Sequence, residues 1–320
     1  MTPNHELHVV FGTGPLGIWT MRELVERGKR VRMINRSGRK DGLPDGVEIT
    51  KGDAYAVTDT TALTRGATAV YQCAQPPYNQ WAGNFPRMQA AILDGAAANG
   101  ARLIVGENLY MYGDPHGQPL TEASPYAAHT RKGAIRQAMT EALFAAHRAG
   151  KLRVASARAS DFFGPDDPIY GGLWYQPALA GKRLNMLGRL DVPHSFSYVP
   201  DFGKALAILG TREEGLGRAW HIPSPPPVTQ AELIALIEEQ VGRPLKPVAA
   251  GAVMLGLLGL MNPIVREMSE MLYEWNKPFV MDSSAFQLTF GMQPTPLRDA
   301  VEATVDWNRA NGAGVAAVAH

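Results

Sequence analysis

Short apolar runs alternate with longer stretches of helical periodicity along the first half of the chain. The apolar runs lie at residues 8–11, 31–34, 47–50, 68–72, 102–105 and 153–156. The helical stretches between them include residues 15–28, 79–99 and 129–149. This alternation predicts a parallel sheet, because each helix crosses one face of the sheet and returns the chain to begin a strand in the same direction. We therefore predict an α/β fold with helices on both faces of the sheet.

The alternation breaks after residue 165. Three consecutive prolines at 225–227 precede an apolar helical stretch, and Thr229 and Glu232 before it have the spacing of a capping box. The second half is therefore predicted to be mostly helical.

Two domains follow from this change of pattern. Residues 194–210 again read as a strand and a helix, typical of the first half. We predict a first domain over residues 1–165, to which 195–222 returns. A smaller, mostly helical substrate-binding domain is predicted from residues 166–194 and 223–320.

The composition is that of an ordinary globular chain. Of 320 residues, 45% are hydrophobic and 19% charged, and the formal net charge is +1 with both signs dispersed. That distribution offers no basic surface for nucleic acid and no polybasic membrane patch. The single cysteine, Cys73, excludes an intrachain disulfide, and the eight histidines lack the spacing of metal ligands. We expect a cytoplasmic protein without a metal site, since the N-terminal stretch also lacks the features of a secretory signal.

One uncharged apolar segment, residues 248–262, invites comparison with the thickness of a bilayer. Its 15 residues would span roughly 22 Å as a helix, short of the roughly 30 Å hydrocarbon core. We therefore expect a buried or pocket-lining helix here and no membrane contact.

A glycine-rich loop follows the first apolar run and precedes a helical stretch. The loop consists of Gly12, Thr13, Gly14, Pro15, Leu16 and Gly17. In such a strand–loop–helix unit, Gly12 permits the tight turn, Gly14 lets the backbone approach a pyrophosphate, and Gly17 allows close packing of helix on sheet. The N–H groups at the helix start favour phosphate. We therefore predict a Rossmann-type doubly wound sheet that binds a dinucleotide.

The end of the second strand indicates which dinucleotide is bound. An NAD site needs an acid there to accept from the ribose 2′-hydroxyl. This chain has Asn35, followed by Arg36 and Ser37. A guanidinium and a hydroxyl suit a 2′-phosphate, so we predict NADP(H) for the domain over 1–165. Asp53, after the third strand, either accepts from the adenine amino group or forms a plain turn.

Taken in order, six motifs resemble those of the extended short-chain dehydrogenase/reductases, the group described as NAD-dependent epimerase/dehydratase-like. They are "FGTGPLG", "KGD", "YQCAQPP", "VGENLYMYG", "RASDFFGP" and "HSFSYVPDFGKAL", and they extend the likeness over nearly the whole chain. The resemblance implies cofactor contacts from further residues in these motifs, namely Ala54, Ala74, Gln75 and Ser160.

The resemblance also implies a catalytic set, which this chain keeps in part. The family uses a Tyr-x-x-x-Lys pair with a Ser or Thr: the Tyr exchanges the proton, and the Lys lowers its pKa and binds the nicotinamide ribose. Lys132 matches the family lysine, but Ala128 stands at the tyrosine position and Asn108 at the Ser/Thr position. Asn108 can orient a substrate oxygen by a hydrogen bond but cannot transfer its proton.

Three residues are candidates for the missing proton donor. Tyr126 lies six residues before Lys132 and can reach it only if the helix starts after it, around residue 127 or 128. Tyr110 follows the fifth strand, where such sites form. His129 lies three residues before Lys132 and titrates near neutral pH. All three remain open at this point.

On the substrate side, family positions after "RAS" point to Asp161 and Phe163. Many sugar-nucleotide members have an arginine where this chain has His194, so the resemblance gives weaker support to a nucleotide-sugar substrate.

Together these features predict an NADP(H)-dependent oxidoreductase of the extended short-chain type, acting on a small or moderately apolar carbonyl or alcohol substrate. Two alternatives remain: an epimerase or dehydratase with tightly bound cofactor, and a binding protein that senses NADP(H) without turnover. The family also implies a possible homodimer through the helices at 79–99 and 129–149.

Overall fold

The strands and helices of the computed structural model follow the predicted alternation. The structure describes residues 6–261 and 263–315. The strands are β1 (Leu7–Phe11), β2 (Arg30–Asn35), β3 (Glu48–Lys51), β4 (Ala67–Gln72), β5 (Arg102–Glu107), β6 (Val154–Arg158), β7 (Asp161–Phe163), β8 (Arg183–Leu187), β9 (Phe196–Tyr198), β10 (Ala219–His221) and β11 (Lys246–Ala250). The helices are α1 (Pro15–Glu26), α2 (Val57–Leu63), α3 (Trp81–Ala98), α4 (Arg131–Arg148), α5 (Pro168–Tyr170), α6 (Gln176–Leu179), α7 (Val199–Thr211), α8 (Gln230–Val241), α9 (Ala252–Gly259), α10 (Pro263–Ser269), α11 (Tyr273–Asn276), α12 (Ser284–Phe290) and α13 (Leu297–Val315).

Seven strands form one parallel sheet in the order β10-β6-β5-β4-β1-β2-β3. Its central strands are buried on both faces, as a parallel sheet covered by helices requires. The predicted α/β, Rossmann-type fold is confirmed. The strand order reverses between β1 and β4, and ligands of such sheets bind at the carboxyl ends near that reversal.

Helix α4 begins later than the sequence predicts. The side chain of Thr130 accepts a hydrogen bond from the Gly133 N–H at 3.0 Å, so Thr130 is the N-cap and Arg131 the first helical residue. The helix buries Lys132, Arg136 and Met139 on the same side. Two of these three residues are charged, and a buried charge is costly unless neighbouring groups pair with it and form hydrogen bonds to it.

The chain after β6 contributes both to the main sheet with its covering helices and to a small separate strand pair. Helix α7 packs against α1, and β10 pairs with β6 at the edge of the main sheet. Strand β9 instead pairs with β7, outside that sheet. The carboxylate of Asp201 in α7 accepts from the backbone N–H of Thr295 at 2.7 Å and from its hydroxyl at 2.9 Å, which ties α7 to the start of α13.

The remaining elements surround a second apolar core. It includes Trp174, Leu233 and Trp275, and β8 pairs with β11 beside it. The capping box of Thr229 and Glu232 is present at the start of α8, as predicted.

The apolar segment 248–262 differs from its prediction. It divides into the end of β11 and helix α9, and α9 exposes 80% of Val253 and 65% of Leu257, while Leu255 is buried. The prediction of a buried or pocket-lining helix is therefore wrong, because α9 is short and packs mainly on α10. Asn262 lies outside the described residues. Within 6–261 and 263–315, no helix is both long and apolar enough to cross a bilayer.

Candidate functional site

A cavity of about 540 Å³ opens at the carboxyl ends of the central strands. At one end lie the glycine loop, Arg36 and Asp53; at the other lie Tyr110, Asp161 and Glu274. Several further residues predicted to touch the cofactor also line it, namely Asn35, Ala54, Ala74, Gln75 and Ser160, as does the predicted catalytic residue Asn108. One continuous cavity therefore contains most of the residues that the sequence singled out.

The three glycines of the loop meet different surroundings. A Cβ at Gly12 would lie 2.8 Å from the backbone nitrogen of Ala74, and Gly12 has φ of +109°. A Cβ at Gly17 would lie 2.1 Å from the carbonyl oxygen of Gly12. A Cβ at Gly14 would meet nothing within 4 Å. The protein's own packing therefore requires glycine at 12 and 17, whereas at 14 the absent side chain leaves open room beside the start of α1.

That helix start is suited to phosphate. Gly14 is the N-cap residue of α1 and provides no capping side chain, and the first turn carries no acid. The first N–H groups of the helix and its positive dipole end therefore lie at the cavity without a protein anion beside them. The residues present fit a dinucleotide pyrophosphate.

The loop after β2 is ordered by Asn35. Its side-chain oxygen accepts from the backbone N–H groups of Ser37 at 3.1 Å and Gly38 at 2.6 Å, and its amide donates to the Thr13 hydroxyl at 3.1 Å. The Ser37 hydroxyl is used inside this loop, and Ser37 does not line the cavity. Arg36 does line it and is exposed. Of the residues predicted to hold a 2′-phosphate, Arg36 is the cation available at the cavity.

Asp53 forms the turn that was one of its two predicted roles, and it lies at the cavity. It lines the cavity, and its carboxylate also accepts from the backbone N–H of Tyr55 at 2.9 Å, as a turn aspartate does. Its contact with an adenine stays a prediction.

Lys132 lies behind the cavity wall rather than on it. Its side chain is 2% exposed, and Nζ donates to the carbonyl oxygen of Tyr78 at 2.6 Å and pairs with Glu267 at 2.9 Å. The ammonium also lies 4.0 Å from the centre of the Tyr78 ring, and Tyr78 itself lines the cavity. The predicted contact of Lys132 with a nicotinamide ribose stays a prediction.

Arg136, which sequence reasoning missed, lines the cavity one helical turn after Lys132. Its Nε donates to the side-chain oxygen of Asn108 at 3.2 Å, and its Nη1 is buried without a hydrogen-bond partner in the described chain. The four-residue spacing from Lys132 puts both on one helix face, and that spacing was the available signal. Because Arg136 and the Tyr110 N–H both donate to the Asn108 oxygen, the Asn108 NH₂ is the group left for a substrate.

The three candidate proton donors occupy different places. Tyr110 lines the cavity, with its hydroxyl 3.5 Å from that of Tyr78. Tyr126 lines a separate cavity of about 320 Å³, and its hydroxyl accepts from Arg158 at 2.6 Å. His129 is exposed and packs edge-on against Tyr273 at 4.6 Å. Although α4 begins after both of them, neither Tyr126 nor His129 lines the large cavity.

The phenols at this cavity hold their protons tightly. Burial raises the pKa of Tyr110 well above its ordinary value, and burial likewise raises the pKa of Tyr78. Carboxyl groups of Glu274 and Asp161 nearby add to both pKa shifts. A phenol becomes an effective acid near neutral pH only when its pKa is lowered, so this environment works against that role.

The predicted substrate residues fall into two groups. Asp161 lines the cavity; its Oδ1 accepts from the Tyr170 hydroxyl at 2.9 Å, and its Oδ2 lies 3.0 Å from Nε2 of His194. His194 is buried behind it and stacks on Trp275 at 4.2 Å. Phe163 is fully buried in the second apolar core, and the adjacent Phe162 lines the cavity instead.

Two buried carboxyl groups at this end were not found from the sequence. Glu274 is 1% exposed, and burial raises its pKa well above the ordinary range. Burial also raises the pKa of Asp167 to about 7, although its oxygens accept from the backbone N–H groups of Ile169 and Tyr170 at 3.1 and 3.0 Å. The available signal was an acid amid aromatic residues, as in "LYEWN". Among the described residues, no three metal-ligating side chains group to hold an ion.

Asp167→Asn is expected to flatten the pH dependence of stability. The folded pKa of about 7 exceeds the unfolded value of about 3.9, so the folded wild type binds the extra proton between them. Wild-type stability therefore falls as pH rises from about 4 to about 7, by at most about 1.4 kcal/mol per pH unit from this group. Asn also caps helices, so the variant keeps the cap. Denaturant unfolding across this window measures the slope; the exposed Asp45→Asn control keeps it, and an unchanged slope in Asp167→Asn contradicts the expectation.

Under the cavity lies a buried charge network. Glu107 accepts from Thr140 at 2.6 Å, from Arg158 at 3.1 Å and from Ser156. Burial alone would raise the pKa of Glu107, but the guanidiniums of Arg158 and Arg136 and the hydroxyl donors hold it below its ordinary value. The network fixes the end of β5, from which Asn108 and Tyr110 extend to the cavity.

This combination of sheet, glycine loop and cavity has counterparts among known proteins. A family model described as "NAD dependent epimerase/dehydratase family" matches residues 9–222. The chain belongs to this family. The match runs from β1 to just past β10 and confirms the resemblance carried by the sequence motifs.

This family member is 24% identical over 254 residues to 2′-dehydrokanamycin reductase from Streptomyces kanamyceticus, covering 76% of this chain and 69% of that protein. The structure of the present chain matches that of an epimerase from Methanothermobacter thermautotrophicus with a TM-score of 0.82 at 16% identity, over 99% of this chain and 96% of the other. It matches UDP-glucuronic acid 4-epimerase from Bacillus cereus, in complex with NAD, with a TM-score of 0.78 at 16% identity, over 95% and 99% of the two chains. At such identities the structural matches show the fold.

Proposed function

We propose that this family member is an NADP(H)-dependent oxidoreductase acting on a small or moderately apolar carbonyl or alcohol. The observation that carries the proposal is the continuity of the cavity, which runs from the glycine loop and Arg36 to Asn108, Tyr110 and Asp161. A dinucleotide and a substrate would share that space, with the substrate at the carboxyl ends of β5 and β6.

Each part of the cavity has a distinct task in this proposal. The open backbone at Gly14 and the start of α1 hold the pyrophosphate, and Arg36 holds the 2′-phosphate. When bound, the nicotinamide supplies or accepts a hydride. The Asn108 NH₂ orients the substrate oxygen, while aromatic side chains at this end exclude water.

The known relatives support a nicotinamide cofactor and leave the reaction open. The epimerase from Bacillus cereus was solved with NAD, and the relative from Streptomyces kanamyceticus is named a reductase of 2′-dehydrokanamycin. Arg36, and Asn35 in place of an acid at the end of β2, favour NADP(H) for this chain.

Arg36→Ala is expected to weaken NADPH binding about 10- to 100-fold and to leave NADH binding nearly unchanged. A charged hydrogen bond to phosphate contributes about 1.5–3 kcal/mol, and NADH lacks that phosphate. Fluorescence titration with each nucleotide measures both affinities. The matched control Arg65→Ala, at an exposed site outside the cavity, changes neither. Equal losses for both nucleotides would contradict the assignment of NADP(H).

Turnover is tested separately by following NADPH consumption with a panel of aliphatic and aromatic aldehydes and ketones. Stereospecific hydride transfer to at least one of them is expected. NADPH that binds but is never oxidised across the panel would overturn the proposal.

An epimerase or dehydratase is the second candidate, favoured by the epimerase structures that share this fold. Such an enzyme keeps its cofactor and regenerates it within each turnover. Protein that retains stoichiometric NADP(H) through gel filtration would favour it over a reductase that releases its nucleotide.

A sensor of NADP(H) without turnover is the third candidate. Ala128 occupies the tyrosine position, and the Lys132 ammonium is already paired with Glu267. Catalytic activity that appears only in Ala128→Tyr would favour this candidate.

A further inference from the structure

We propose that Glu274 is the general acid and base of this site, in place of the tyrosine that the chain lacks. This inference rests on the proposed oxidoreductase function. Glu274 lies far along the chain from β5 and α4, and α11 brings it to the cavity that Asn108 and Tyr110 also line.

The position of the Glu274 carboxyl is fixed on two sides. Its Oε1 accepts from the hydroxyl of Tyr273 at 3.3 Å. Its backbone carbonyl oxygen lies 3.2 Å from Nδ1 of His194, whose other nitrogen contacts Asp161 at 3.0 Å. The His194 ring therefore lies between two acceptors, the backbone carbonyl of Glu274 and the carboxylate of Asp161.

The other carboxyl groups of the cavity are already engaged. Glu107 is paired with Arg158 and two hydroxyl groups. Both oxygens of Asp161 are engaged, by Tyr170 and His194. Both oxygens of Asp167 cap α5.

Asp53 lies at the glycine-loop end, away from the substrate, and forms a turn. Among the described cavity residues at the substrate end, Glu274 is the carboxyl whose second oxygen has no hydrogen-bond partner in the protein.

Its protonation state suits proton donation. Burial, and next the charge of Asp161, raise the pKa of Glu274 well above that of an exposed carboxyl, which favours the protonated form that donates. The buried phenols Tyr78, Tyr110 and Tyr170 release theirs less readily, because burial raises each pKa above an already high starting value. A protonated Glu274 carboxyl would therefore be a stronger acid toward a substrate oxygen than any of these phenols.

The step balances without any further reactant. In reduction, the substrate carbonyl carbon gains a hydride from the reduced dinucleotide, which is thereby oxidised, and the C=O π pair moves to oxygen. That oxygen takes the proton of Glu274, leaving a carboxylate that water reprotonates. In the oxidative direction the carboxylate accepts the hydroxyl proton as hydride leaves carbon.

The test compares Glu274→Gln with the charge-matched control Glu302→Gln, an exposed position on α13. We expect Glu274→Gln to lower kcat with carbonyls of the test panel at least about 100-fold, with NADPH affinity within about twofold of the wild type. The infrared difference between the wild type and Glu274→Gln at pH 7 should contain a protonated carboxyl band, and the difference between the wild type and Glu302→Gln should not. Glu274→Asp, which keeps the acid, should recover part of kcat and shift the pH profile.

Each contrary result has a distinct meaning. Full activity in Glu274→Gln overturns the assignment to Glu274 and leaves the oxidoreductase proposal standing. The same conclusion follows if the fall in reductive activity at high pH disappears in Asp167→Asn but persists in Glu274→Gln. Absence of the infrared band overturns it without reference to turnover. A wild type that oxidises NADPH with none of the panel overturns the proposed function and the general acid together.

Discussion

Gly14→Val is expected to abolish dinucleotide binding and to leave the fold intact. A Cβ at Gly14 meets no protein atom within 4 Å, and the residue has φ −76° and ψ −177°, which any L-amino acid adopts. The added methyl groups would instead occupy the space at the start of α1 where a pyrophosphate approaches the backbone. We expect the Kd for NADPH to rise at least about 100-fold, with the unfolding free energy within about 1 kcal/mol of the wild type.

Gly83→Val is the matched control. A Cβ at Gly83 would also meet nothing within 4 Å, but Gly83 is an exposed residue of helix α3 and does not line the cavity. Titration with NADPH and denaturant unfolding measure both variants side by side. Undiminished binding in Gly14→Val would show that the glycine loop is not the phosphate site.

Glu107→Gln has the largest expected effect on stability. It removes the charge between Arg158 and Arg136 while those guanidiniums remain buried, and breaking a buried pair in this way costs about 3–5 kcal/mol. Because the pKa of Glu107 is held below its unfolded value, its stabilisation is present above the unfolded pKa of about 4.3 and is lost as pH falls through the folded pKa. Denaturant unfolding at neutral and acidic pH should show a large difference at pH 7 that narrows at low pH.

Glu141→Gln provides the control. Glu141 is exposed on the same helix as Arg136 and accepts a hydrogen bond from Gln137. Its replacement should change the unfolding free energy by no more than about 0.5 kcal/mol. A loss in Glu107→Gln no greater than that of the control would mean that the buried network contributes little.

Local pattern was sufficient for the sheet. The apolar runs at 31–34 and 68–72 became β2 and β4, because a strand buried on both faces must be apolar wherever it lies in the chain. The glycine loop was equally predictable from the sequence. Its tight turn, its open backbone at Gly14 and the start of α1 all lie within six residues. Short-range chemistry of this kind depends little on what the rest of the chain does.

Residues placed by distant contacts were less predictable. Thr130 caps α4 later than the pattern predicts, and Arg158, from β6, holds the Tyr126 hydroxyl in a separate cavity. Helix α9 also differs from its prediction. Its apolar sequence predicted burial, but in the folded chain it packs against few other elements and remains partly exposed.

The sequence by itself determined the parallel α/β sheet, the phosphate loop, the cation at Arg36 and the missing tyrosine at Ala128, because each rests on residues adjacent in the chain. Only the tertiary structure decided what stands beside the substrate. It set Lys132 against Tyr78 and Glu267, turned Arg136 to the cavity, and brought Glu274 to Asp161 across more than a hundred residues. Burial and neighbouring charge determine the chemistry of such groups, and both arise only when the chain has folded.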